Sequence, residues 1–596
     1  MKTVKFLMGN EAIGLGAIHA GVDLVAGYPG TPSTEILETV AKNNDGSIHV
    51  EWSVNEKAAL EVAAGGAYAG ARVLVTMKQV GLNVASDPLM SLAYVGVKGA
   101  MVIVSADDPG PISSQTEQDT RHFAHFSKLP VFDPSSPEEA YEMIKDAFDF
   151  SEKHGTPVLF RPTTRICHGC ADVQVEEGYE RRKPEGFIKD TMRWVIFPRA
   201  SFLNHQKIEK RNASIGDEFS SYRFNTVSGS GRKGICTHGA SYGYVLENIA
   251  DCGKDVKVFK VATPFPFPEK QALGFLEGLD EVMCFEELDP VLERELIYIC
   301  GKYHLDVKIH GKLDGYVQTA GENSAESVAK VLEGFLGIDA VKNELPKPPE
   351  LPVRPPVLCA GCPHRASFYA VKQAAKGKKA VFSGDIGCYT LGNAMPLDMV
   401  DTCLCMGADV TIAQGLHIIE PDTLNFSFIG DSTFFASGIT GVINAVYNQN
   451  DIILIVLDNS TTAMTGHQPH PGTGVTMMGE VAQKVSIEAI LKAIGLTSVE
   501  TVDPLDLGAA KKAVENAMEQ KGVRAVVFRS PCIAVTKSNG LLAVSDKCVK
   551  CKKCINELGC PAIVIDSGKV TIENSLCTGC GLCAQVCPVG AIKREK

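Results

Sequence analysis

"CVKCKKCINELGCP" and "CTGCGLCAQVCP", near the end of a 596-residue chain, constrain its fold more than any other stretch. The first places Cys548, Cys551, Cys554 and Cys560 ahead of Pro561, and the second places Cys577, Cys580, Cys583 and Cys587 ahead of Pro588. The second run has the spacing C-x2-C-x2-C-x3-C-P, in which three thiolates of one tight loop and a fourth from the other run hold a [4Fe-4S] cluster. The first run departs from it, with five residues instead of three before its last cysteine. On this pattern Cys548, Cys551 and Cys554 with Cys587 hold one cluster. Cys577, Cys580 and Cys583 with Cys560 hold the other. Zinc also takes CxxC pairs, but two triplets each closed by Cys-Pro point to clusters. The tail then conducts electrons.

There are 20 cysteines, and the start, MKTVKFLMGNEAIG, has its apolar run broken by Asn10 and Glu11. No secretory signal is read there, so reduced, metal-binding cysteines are expected, not disulfides. A net charge of −12 argues against nucleic acid or a membrane surface as partner. No stretch approaches the roughly 18 uninterrupted apolar residues of a membrane helix. A cytoplasmic protein is expected.

Before the tail, strands and helices alternate. "VDLVAGYPGTPSTEILETVAKN" reads as strand, tight turn at Gly30 and Pro32, and a helix capped by Ser33 or Thr34. "ARVLVTMK" and "AMVIVSAD" are continuously apolar, as strands of a parallel sheet covered on both faces should be. Residues 1–180 form one α/β unit, and 181–232, polar and aperiodic, read as a connecting segment. A second unit spans 233–342, a proline-rich linker 343–356, a third unit 357–540, and the cysteine-rich tail 541–596.

In the third unit, "LNFSFIGDSTFFASGITGVINAVYNQNDIILIVLDNSTTAMTG" reads strand, Gly-Asp turn, helix, strand, Asp-Asn turn. A helix starting after Gly430 offers free N–H groups to a diphosphate. Two oxygens from neighbouring strand ends suit Mg2+, which takes one or two protein oxygens plus phosphate oxygens. The stretch resembles the thiamine diphosphate motif, Gly-Asp-Gly followed later by Asn-Asn. Asp431 and Asn459 match the metal ligands, while Ser432 replaces the third Gly and Asp458 the first Asn. Gly430, Asp431, Ser432, Asn459 and Thr461 are the expected cofactor-binding residues.

Thiamine chemistry also needs a carboxylic acid beside the aminopyrimidine to switch on the cofactor's internal base. In "HVEWSVNEKAALEV", Glu56 opens a helix after a strand and resembles that glutamate; a first-turn glutamate is also favoured by the helix dipole alone. "GYPGTPSTE", with Thr31, and "SSQTEQDTRHFAHF", with Arg121, resemble substrate- and cofactor-facing loops of 2-oxoacid:ferredoxin oxidoreductases. An arginine fork suits a substrate carboxylate; a helix-surface arginine is the alternative.

The order of parts, with "LCAGCPHRASFYAVK", "DIGCYTLG" and "TTAMTGHQPHPGTG", resembles the alpha subunits of indolepyruvate:ferredoxin oxidoreductases over essentially the whole chain. The resemblance implies an α/β, multidomain fold: doubly wound parallel sheets of the thiamine diphosphate-binding type, plus a small C-terminal α+β domain like bacterial ferredoxins. The three units become a pyrimidine-binding-type domain, a transketolase C-terminal-like domain and a diphosphate- and Mg2+-binding domain. It implies a smaller beta subunit in an (αβ)2 assembly, and ferredoxin as electron acceptor. It also implies decarboxylation of an arylpyruvate with coenzyme A as acyl acceptor. Pyruvate or 2-oxoglutarate as substrate, or a non-catalytic electron-transfer subunit, are the alternatives. In multi-cluster relatives a CxGC pair, a later cysteine after an Ile-Gly turn and a distant fourth hold a cluster beside the thiamine. Cys359, Cys362, Cys388 and Cys532 look similar, so a third [4Fe-4S] cluster is expected there; structural thiols are the alternative, as for Cys167/Cys170 and Cys403/Cys405.

Overall fold

A computed structural model of the chain describes residues 2–179, 181–250, 252–338, 349–537 and 540–594. It divides into two compact units, 1–347 and 348–596, taken here in turn. Linker residues 343–348 lie outside the described residues.

The first unit is built on two larger sheets and also holds an antiparallel pair, Lys2–Met8 with Cys170–Glu176. One has six strands in the order His49–Trp52, Leu24–Gly27, Val73–Lys78, Met101–Ala106, Val158–Phe160, Val131–Phe132, all parallel. Val73–Lys78 and Met101–Ala106 are buried along nearly their whole length, which is why they read as unbroken apolar runs. The turn after Leu24–Gly27 differs from expectation. Neither hydroxyl caps the helix Thr34–Lys42. Instead Ser33 Oγ donates to the Gly30 carbonyl and Thr34 Oγ1 accepts from the Gly30 N–H, so both hold the turn itself.

The second sheet has five strands: Lys308–His310, Glu281–Phe285, Lys233–Thr237, Lys257–Lys260 and, antiparallel at the edge, Thr226–Gly229. The segment read as a connection is therefore structured. It holds this edge strand and a 22-residue helix, Pro198–Phe219, whose inner face is Ile208, Asn212, Ile215 and Phe219.

Buried ion pairs tie the two sheets together. Arg121, 2% exposed, donates through Nε to Asp119 (2.9 Å), through Nη1 to Glu286 (2.8 Å) and through Nη2 to the Glu287 and Asp289 carbonyls (2.9 Å each). His238 lies 3.3 Å from Nη1 and hydrogen-bonds Asp133, which also accepts from Arg161. The expectation of a substrate clamp at Arg121 is corrected here. Its whole fork is engaged by the chain's own oxygens, on elements of both sheets, and it is no surface arginine either.

Removing one partner of such a network strands the others as buried charges. Arg121→Ala should lower the stability of the first unit by about 3–5 kcal/mol. Both tryptophans, Trp52 and Trp194, lie in this unit, so denaturant unfolding followed by their fluorescence reads the effect directly. An unchanged midpoint with a raised KM would restore the clamp.

In the second unit, five parallel strands run Ala380–Ser383, Leu424–Gly430, Ile453–Asp458, Arg524–Arg529, Ser498–Val502. Helix follows the second strand with no intervening loop: Asp431–Thr433 runs through a π-helical stretch, Phe434–Gly438, into Ile439–Tyr447. The tail adds two small antiparallel pairs, Leu542–Val544 with Ile592–Arg594 and Ile563–Asp566 with Lys569–Ile572. Its apolar residues Leu542, Leu558, Ile563, Leu582 and Val586 share one core with Phe368, Val371 and Phe428 of the α/β part.

Candidate active site

The carboxyl ends of four neighbouring strands converge in the second unit, the edge where open α/β sheets bind ligands. Asp431 follows Gly430 there and is fully buried. Its Oδ1 accepts from the Ser432 N–H (2.8 Å). Its Oδ2 accepts from the N–H groups of Asn459 (3.1 Å) and Ser460 (2.8 Å), with His470 Nε2 at 3.1 Å. Asp431 and Asn459 are thus brought together. Thr462 Oγ1 donates to Ser432 (3.1 Å), and Thr461, buried beside them, donates its N–H to Asn459 Oδ1 (3.1 Å). Asp458, at the position of the motif's first Asn, accepts from Arg529 Nε at 2.7 Å, a structural use.

Several contributors carried no role in the sequence reading. Asp385, after Ala380–Ser383, accepts the N–H groups of Gly430 (3.2 Å) and Gly407 (3.1 Å). Burial pushes its carboxyl up to about 6. His364 Nε2 lies 3.0 Å from Asn459 Nδ2, and burial holds the imidazole down to about 4, so it stays a neutral acceptor. Tyr389 stands edge-on to His364, ring centroids 5.0 Å apart, and a Cβ on Gly430 would run into it. These residues sit inside "CPHR", "DIGCYTLG" and "GHQPHPG", stretches matched as wholes and not position by position. The donor set fits the expected group: a buried carboxylate and an amide oxygen are hard ligands for Mg2+, and helical N–H groups follow them for a diphosphate.

The cysteines fall into three groups. Cys548, Cys551, Cys554 and Cys587 line one small cavity. Burial raises the Cys554 thiol, and thiolates at Cys551, Cys587 and Cys548 add to it. Burial would also raise Cys587, but the N–H groups of Ala591, Val589, Ile592 and Gly590 outweigh it and hold it below its ordinary value; Ala591 N lies 3.2 Å from the sulfur. Cys583 is pushed up to about 12 by burial and then by Cys580, Cys560 and Cys577, the second group. Cys388 is pushed up to about 11 by burial, then by Cys359 and Cys532, and Cys362 feels Cys388 and Cys359. So the third group also meets. It adjoins the Asp431–Asn459 pair: Cys532 N donates to the Asn459 carbonyl at 2.9 Å, and Asp431 acts on its thiol. A single zinc would draw its sulfurs to within about 4 Å of one another. Among the described residues no three cysteine sulfurs lie within 4.8 Å of one another.

In the first unit Glu56 opens the helix Glu56–Tyr68, capped by Asn55 accepting from Ala58 N. Its side chain presses on Gly81, where any Cβ would collide with it. Burial raises its carboxyl to about 7, against its own backbone N–H and Lys78. Thr31 is half-buried in the turn nearby, its carbonyl accepting from Ser113 Oγ (3.1 Å), while Lys78 Nζ donates to the Ser113 carbonyl (3.2 Å).

Known proteins match these parts. Residues 15–193 match the family described as pyruvate flavodoxin/ferredoxin oxidoreductase, thiamine diP-binding; 385–528 match thiamine pyrophosphate enzyme, C-terminal TPP binding domain; 570–593 match a 4Fe-4S binding domain. The indolepyruvate oxidoreductase subunit IorA of Methanothermobacter thermautotrophicus is 42% identical over 606 residues, covering 99% of this chain and 97% of the relative. The IorA subunit of Thermococcus kodakarensis is 41% identical over 630 residues, with the same coverages. The chain belongs to the indolepyruvate oxidoreductase IorA family. It is a thiamine diphosphate-dependent oxidoreductase of the 2-oxoacid:ferredoxin type, with iron–sulfur clusters. A ketoisovalerate oxidoreductase subunit, VorB of Methanothermobacter marburgensis, matches only 46% of the chain at 24% identity. Among the described residues no helix is long and apolar enough to cross a membrane.

Two outcomes test this geometry. The folded-state pKa of Glu56 lies above its ordinary 4.5, so its contribution is present below pH 4.5 and is lost as pH rises through about 7. Over that window wild type should lose about 3 kcal/mol of stability relative to Glu56→Gln; parallel curves of denaturation midpoint against pH would contradict it. Gly430→Ala should displace Tyr389 and empty the site, read as thiamine diphosphate retained after gel filtration, and Tyr389→Ala should restore part of the loss.

Proposed function

We propose that this chain, with a smaller beta subunit in an (αβ)2 assembly, oxidatively decarboxylates arylpyruvates such as indolepyruvate and phenylpyruvate. Coenzyme A takes the acyl group, and two electrons pass singly through [4Fe-4S] clusters to ferredoxin. The observation that supports it most is the adjacency of the Asp431–Asn459 cradle and the third cysteine group, joined by the hydrogen bond from Cys532 N to the Asn459 carbonyl.

Asp431 and Asn459 would hold Mg2+ and, with the N–H groups after Gly430, the diphosphate. Thiamine diphosphate, when bound, supplies the carbanion that adds to a 2-oxo carbon. Glu56, whose carboxyl burial raises to about 7, would supply the carboxylic acid that activates the cofactor's aminopyrimidine. Cys359, Cys362, Cys388 and Cys532 would hold a cluster beside the site; the two tail groups would hold one each and lead electrons outward.

The test is coenzyme A-dependent reduction of a viologen dye over a panel of 2-oxoacids, with and without the beta subunit. Indolepyruvate and phenylpyruvate should exceed pyruvate in kcat/KM by at least tenfold. Equal or better turnover of pyruvate would move the chain to another substrate class.

A further inference from the structure

Arg365 closes "CAGCPHR" in the first turn of the helix Pro363–Ala374; it is 4% exposed, and no carboxylate partners it among the described residues. A buried guanidinium without a counter-charge is costly, so something else must balance it. Its neighbours are two cysteine loops. Nη2 donates to the carbonyls of Leu358 (2.6 Å) and Cys359 (3.4 Å), at the head of the third group. Nη1 donates to the carbonyls of Leu558 (2.6 Å) and Gly559 (3.0 Å), immediately before Cys560 of the second group. Nε–H is buried and has no hydrogen-bond partner. The loops also touch directly: Gly361, at φ +76°, leaves no room for a Cβ against Thr578, between Cys577 and Cys580.

We propose that Arg365 is the positioning residue between the inner cluster and the second tail cluster, clamping their loops at fixed spacing and setting both potentials with one buried positive charge. The inference rests on the three-cluster reading above. Each cluster bound by four thiolates is anionic, and taking up an electron adds one more negative charge. A cation held between two such groups favours the reduced state of both. In each transfer one cluster loses one electron as its neighbour gains it, and no proton moves. The unpartnered Nε–H is a donor left for a sulfur.

The experiment is iron analysis and an EPR-monitored redox titration of the full-length holoprotein: wild type, Arg365→Gln and Arg365→Lys. About twelve irons in wild type sustain the three-cluster reading; about eight overturn that reading, and the inference with it. With twelve, Arg365→Gln should keep its iron while two of the three clusters become harder to reduce. At a fixed potential their ratio of reduced to oxidised form should fall at least tenfold, a 59 mV shift for one electron. Arg365→Lys, which keeps the charge, should recover most of it. Full iron with unchanged potentials in Arg365→Gln overturns the inference. If Arg365→Gln loses iron, the lysine variant decides: retained iron and near-wild-type potentials support the charge, and equal iron loss reduces Arg365 to a loop anchor and overturns it.

Discussion

A carboxylate buried at the end of a strand governs the second unit. Asp431 has no exposed surface, and its oxygens take N–H groups from Ser432, Asn459 and Ser460. An unsatisfied buried carboxylate costs several kcal/mol. The chain after Ile453–Asp458 must therefore turn so that two successive amides point back at the neighbouring strand. That turn fixes Asn459, and its carbonyl fixes Cys532 after the next strand. Position in the sheet thus passes from Asp431 to a cysteine with no loop of adjustable length in between.

The same economy explains why the tail is no loose appendage. A cysteine-rich domain of about fifty residues cannot bury much apolar surface alone. Here it completes its core with residues of the α/β part. Gln585 adds polar ties, donating to the Leu505 carbonyl (2.7 Å) and accepting from Leu507 N (3.1 Å), and Tyr369 hydrogen-bonds Glu557. Transfer between redox centres depends steeply on their separation, so a conduit of this kind needs a rigid seat, and the shared core supplies one.

Much of this was legible from local spacing. Cysteine triplets, a Gly-Asp pair at a strand end and unbroken apolar strands each carry their meaning within a few residues. What escaped depends on partners far away in the chain. Arg121 sits among polar neighbours in "SSQTEQDTRHFAHF", and nothing there reveals that Glu286, 165 residues on, will bury it. Asp385, His364 and His470 are single titratable residues in stretches whose roles appear only when four strand ends meet. The helix Pro198–Phe219 buries just four side chains, one of them Asn212, too thin a stripe to stand out by periodicity. Ser33 and Thr34 have the composition of a cap, but a turn carbonyl and amide compete for the same hydroxyls and win.

The electrostatics beneath the site follow from burial. Asp385 and Asp409 lie fully buried under Gly430 and its strand; burial raises both, and the Asp385 charge raises Asp409 further. Two carboxyl groups so placed cannot both ionise cheaply. Were both ionised beside Asp431, they would repel a diphosphate at the very edge where the helix offers it N–H groups. Suppressed ionisation there lowers the negative charge beneath Asp431, whose oxygens take N–H groups from Ser432, Asn459 and Ser460; in the proposed site a divalent cation would let that carboxylate lie beside a phosphate.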